Sequence, residues 1–188
     1  MKLKIITIAL AGVLAIALAI SVGMNINRHI KEQERLDNLK SMLFVALSNT
    51  ESYLNRSLHY NELGNKNQAF IDLSYALTAM HRADNLLRSA GINFSLNNHN
   101  ISLGSMSVNI LSRIMEDGII SETEVVFLTR LKHDMSIVVE QLSAPDVGDM
   151  VFGVDRSLSL DEIRDILYEF VIKWTDGTRE DSPWLLLQ

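Results

Sequence analysis

The sequence predicts an all-α protein: an N-terminal transmembrane helix followed by an antiparallel helical bundle of about five helices. Three observations carry this. Ile5 to Met24 contains no charged residue and follows directly on Met1-Lys2-Leu3-Lys4. Apolar residues after it recur at spacings of three and four, with only two prolines, Pro145 and Pro183, in the chain. Alternating strand patterns are nearly absent; the best candidate, Met150 to Val154, is short and holds a glycine.

An uncharged run of this length can cross a bilayer, because ~20 residues at ~1.5 Å rise span roughly 30 Å. Two fates are open to it. Ser21-Val22-Gly23 has the small-x-small form of a signal-peptide cleavage site. The run is longer than a usual signal core, and it continues helix-compatibly through Asn25 to Ile30, which favours a retained anchor. Residues 1–24 are therefore read as anchor or signal segment and residues 25–188 as one domain. The Lys2/Lys4 head and the long domain place the carboxyl side outside the cytoplasm. Arg28, Lys31, Arg35 and Lys40, just beyond the run, oppose that orientation.

Thr7, Ala11, Ala15, Ala19 and Gly23 recur every four residues and form a ridge of small side chains. Such ridges let helix backbones approach closely in lipid, which makes this one a candidate surface for a homodimer through the anchor; the plainer alternative is that export segments are simply Ala-rich.

The domain carries 15 of the 17 basic residues and all 23 acidic ones, a net of −8. An acidic surface repels phosphate backbones, which excludes nucleic acid as a partner. There is no cysteine, hence no disulfide framework, thiol chemistry or lipid-modified cysteine anchor.

The first helix is expected to leave the membrane and run to about Leu63, where Gly64-Asn65 stops it, with Leu36, Leu39, Leu43, Leu47 and Leu54 on one face. From Asn25 to Asn61 that is a rod of roughly 55 Å. In the second helix, Lys66 to Ala90, Ala69, Ala76, Ala83 and Ala90 are each seven apart and interleave with Leu73, Met80 and Leu87. That is a heptad seam of alternating small and large residues, closed by Gly91. Asn93 to Asn100 reads as a loop. The third helix, Leu103 to Glu116, turns Met106, Ile110 and Ile114 inward and ends at Asp117-Gly118. Ser121 with Glu124, and Ser159 with Glu162, are capping-box signatures opening the fourth and fifth helices. Between these two helices lies an acidic loop, 144–157; after the fifth comes a tail, 176–188.

Chemical motifs are lacking. None of His29, His59, His81, His99 and His133 has an acid three residues before it, which excludes the di-iron bundle pattern. His59/Glu62 and His81/Asp84 share a helix face but supply too few ligands. The turn 116–124 resembles half of a calcium-binding loop, yet Arg113 and Met115 stand where carboxylates are needed. Asp146, Asp149 and Asp155 in the acidic loop follow no ligand spacing. No glycine-rich phosphate loop or nucleophile elbow occurs. The expectation is no catalysis, no metal and no cofactor.

Trp184-Leu185-Leu186-Leu187 is an apolar cluster beyond an acidic break, too short to re-enter a membrane. Trp184 and Leu185 are candidates for docking on a partner or for folding back on the bundle. The plan of one anchor followed by helices resembles that of anchored helical-bundle envelope proteins of Gram-positive bacteria, some acting in sporulation or as sensor ectodomains. It implies a non-enzymatic interaction module of the cell envelope, held in the lipid bilayer and binding a protein partner. The alternative is a small-ligand-binding bundle of the sensor type.

Overall fold

The computed structural model describes the backbone of residues 2–96, 99–114, 120–144 and 153–175, and the side chains of these apart from 2–17, 95–100 and 111–113. The described elements are helices α1 (Lys2–Glu62) and α2 (Lys66–Ser89), strands β1 (Phe94–Leu96) and β2 (His99–Ile101), and helices α3 (Leu103–Ile114), α4 (Glu122–Leu142) and α5 (Leu160–Thr175). They fall into two units, Met1–Asn38 and Leu39–Gln188.

The first unit is the leading part of α1. Every side chain from Leu18 to Arg35 is exposed. Most of the uncharged run from Ile5 lies outside the described side chains. Among the described residues, no helix is long and apolar enough to cross a membrane.

The second unit holds the bundle. Leu43, Leu47, Leu54 and Leu58 of α1 are buried, and so are Thr50 and Ser57 on the same stripe. These hydroxyls fill core layers because each finds a carbonyl. Thr50 Oγ1 donates to Ala46 O at 2.9 Å, and Ser57 Oγ crosses to Ala69 O of α2 at 2.8 Å.

The α1–α2 turn is built from capping chemistry. Gly64 adopts φ +73°, which only glycine takes without strain. Asn65 N donates to Tyr60 O at 2.9 Å and Gly64 N to Asn61 O at 3.0 Å, closing the helix in a Schellman motif. The Asn65 side chain then accepts from Gln68 N and opens α2. Gly91, at φ +77°, ends α2 the same way, with Ile92 N bonded to Leu87 O.

The heptad seam faces the core. Ala69, Ala76 and Ala83 are fully buried, with Leu73 and Met80 between them and Leu87 beyond; Ala90, the last alanine of the seam, caps the helix and is only partly buried. Ser57 meets Ala69, Arg56 meets Asp72, and Tyr53 stacks on Tyr75, so α1 and α2 run antiparallel.

The segment expected to be a loop, 93–100, instead contains an antiparallel hairpin. Phe94 pairs with Ile101, Ser95 with Asn100 and Leu96 with His99. Phe94, buried, roots it in the core. Strands of three residues are too short to show a period, which is why the polar composition hid them.

Helix α3 opens on a box made of two serines rather than serine and glutamate. Ser105 N donates to Ser102 Oγ at 3.0 Å, and Ser102 N to Ser105 Oγ at 3.1 Å. Met106, Ile110 and Ile114 are buried as expected. The turn at Asp117-Gly118 lies outside the described residues. Both capping boxes form: Ser121 N and Ser159 N each donate to a glutamate Oε2, of Glu124 and Glu162 respectively, at 2.7 Å. The 144–157 loop is tied at its base, where Ala144 N bonds Gly153 O and Asp155 N bonds Leu142 O. Of the strand candidate 150–154, only Val154 pairs among the described residues, in a bridge to Ser143.

Candidate functional site

Of the candidate interaction residues, Ala11 and Ala15 lie on α1 with side chains outside the description, and Trp184 and Leu185 lie outside the described residues altogether. Ala19 and Gly23 are exposed on α1, and an added Cβ at Gly23 would meet nothing within 4 Å. The small-residue ridge is thus open at its carboxyl end.

Helix α4 carries an acid on its apolar stripe: Asp134 sits between Leu131 and Val138 and is buried with them. Its Oδ2 accepts the indole N–H of Trp174 at 2.9 Å and lies 2.7 Å from Lys173 Nζ. Trp174 is fully buried and meets Phe127 edge-on, with ring centroids 5.0 Å apart. The carboxylate is a tie between α4 and α5, its charge met by Lys173. Since Trp174 ends α5 and Phe127 opens α4, these helices are antiparallel.

A second buried acid, Asp72 on α2, faces α1. Its Oδ1 lies 3.1 Å from Arg56 Nη2, but neither carboxylate oxygen has a hydrogen bond among the described residues. The contact is a charge pair without bidentate geometry. Half-exposed Arg56 also lies 5.6 Å from the centre of the Tyr53 ring.

A third, Asp84, pairs with Arg88 at 2.9 Å on the next turn of α2. It packs against Gly104 in the first turn of α3, where a Cβ would come within 2.9 Å of both Asp84 Oδ2 and His81 Nδ1. Glycine there lets α3 approach α2. The His81/Asp84 pair is therefore a helix contact. Among the described residues, no three His, Asp or Glu side chains gather as a metal site.

Of the loop acids, the described one, Asp155, is spent locally. Asp155 Oδ1 accepts from Ser157 N and Oγ at 2.8 and 2.6 Å, and these bonds hold its carboxyl below the usual range. Glu162 is lowered likewise by the backbone and hydroxyl of Ser159. Asp146 and Asp149 lie outside the described residues.

The concave feature missed from sequence is a groove along α1. It begins between Phe44, Val45 and Val154 and continues past Asn49 toward Lys132 and Val139 of α4. Apolar Phe44, Val45, Val139 and Val154 share its lining with serines and asparagines and with the charged Glu51, Lys132 and Arg156. Val45, exposed next to buried Phe44, lines it, but nothing in the spacing of the sequence marks it. Comparison with protein-family models, with curated proteins and with solved structures finds no match to this chain.

Proposed function

We propose that the chain is a non-enzymatic interaction module of the bacterial cell envelope, anchored by residues 5–24 and presenting the bundle outside the cytoplasm to a protein partner. The observation that carries it is the uncharged Ile5–Met24 run on α1, continuous with the exposed segment that follows. The small ridge ending at Ala19 and Gly23 supports dimerisation through the anchor. The tail residues Trp184 and Leu185 are a second contact candidate.

The test is a reporter active only outside the cytoplasm, fused after Gln188, together with fractionation. An active reporter on a full-length, membrane-retained chain is expected. An inactive one overturns the orientation, and release of a shortened soluble chain shows cleavage near Gly23.

One observation favours a second reading, a ligand-binding sensor bundle. The end of the groove at Phe44 and Val154 is an open cleft of about 390 Å³, within the lower range of small-molecule sites. A thermal-shift screen of the bundle against small ligands decides between the two.

A further inference from the structure

Beyond Met24, the first cationic side chains on α1 are Arg28, Lys31 and Arg35, all exposed. At ~100° per residue they fall within about 60° of the helix circumference. We propose that this basic face binds the phosphates of anionic phospholipid headgroups, an inference that rests on the anchored reading above.

Depth and direction argue for it. If the hydrocarbon ends near Met24, the Arg28 Cα stands roughly 6 Å above it, Lys31 roughly 10 Å and Arg35 roughly 16 Å. The headgroup layer occupies only about 5–7 Å on each side of the hydrocarbon. Side chains on a helix lean toward its amino end, which here is the bilayer, and long cationic ones snorkel along the helix to place their charge. Arg28 therefore reaches phosphate directly, Lys31 reaches back to it, and Arg35 acts across about one Debye length.

The acids do not cancel this. Moving outward from Met24, Arg28 and Lys31 both precede the first acid, Glu32, which borders the face. Glu34 and Asp37 lie farther out and about 100° and 160° round from its centre. The charge nearest the lipid is positive although the segment as a whole is balanced. The same geometry holds whichever side of the membrane the bundle occupies.

The test uses the full chain in phosphatidylcholine bilayers containing phosphatidylglycerol, with spin-labelled forms of each lipid reporting which is held at the protein. Preference for phosphatidylglycerol by about fivefold at low salt, weakening as salt rises, is expected. Arg28→Gln should remove most of it, Lys31→Gln less and Arg35→Gln least, with Glu34→Gln leaving it intact. Loss of the preference on adding inorganic phosphate at constant ionic strength would assign the face to free phosphate and overturn the lipid proposal. Equal retention of both lipids by a chain that resists alkaline extraction overturns the proposal alone. A chain extracted by alkali overturns the anchor, and the proposal with it.

Discussion

The indole N–H of Trp174 reaches the carboxylate of Asp134 across forty residues of sequence, at 2.9 Å and out of water. The bond fixes the rotation of α5 against α4, because the Trp174 ring is also held edge-on by Phe127. Trp174→Phe keeps much of the apolar volume but removes the donor, and should cost about 1–3 kcal/mol. Asp134→Ala, which also strands Lys173, should cost more than Trp174→Phe in urea unfolding. Strictly additive effects in the double mutant would show that the two side chains are not coupled.

Replacing Ala76 or Ala83, both fully buried, by leucine overpacks the seam and should cost about 1–3 kcal/mol. Arg82, exposed between them, is the control, and Arg82→Leu should be almost neutral. Equal shifts in melting temperature for all three would remove the alanines from the core.

Gly104→Ala tests the α2–α3 contact. Helical glycines normally gain roughly 0.5–1 kcal/mol on conversion to alanine. Here the new methyl must displace Asp84, which Arg88 holds, as well as His81. The expected outcome is no gain or a net loss in thermal melts, and a full gain would contradict the close approach.

The Asp155–Ser157 turn and the Ser159/Glu162 capping box predict an acid limb. Asp155 and Glu162 have folded pKa values below their ordinary 3.8 and 4.5. Their contribution is complete above those ordinary values and is lost as pH falls through them toward the folded ones. Ser159→Ala should return the Glu162 carboxyl, followed by carbon-13 NMR, toward its ordinary titration. An unchanged titration would show that the capping box is not what lowers it.

Helix existence was legible because the helices carry a long apolar period, and several boundaries carry a chemical mark that the structure reproduces: Gly64 and Gly91 close α1 and α2, and Ser121 and Ser159 open α4 and α5. The groups that tie the helices together were not. Asp72, Asp84, Asp134, Thr50 and Ser57 stand at core positions, where a pattern of apolar residues records only a gap. What fills each gap is a partner on another helix, which spacing along one helix does not reveal. The same holds for the groove, whose two walls are distant in sequence. The proposed anchor rests on the uncharged Ile5–Met24 run alone.

Lys40 is buried on α1 and donates its ammonium to the carbonyl of Arg156, a contact spanning 116 residues of chain. By comparison, Ser57 and Ala69 are only twelve apart. Loop-closure entropy makes the α1–α2 hairpin the early event of assembly and the Lys40 contact a late one. That contact cannot form before Arg156 has been added, and α5 follows later still. A chain emerging amino end first can hold its first two helices together while the rest is still being synthesised; the Lys40 contact follows with the loop before α5, and the Trp174 tie only with the end of α5.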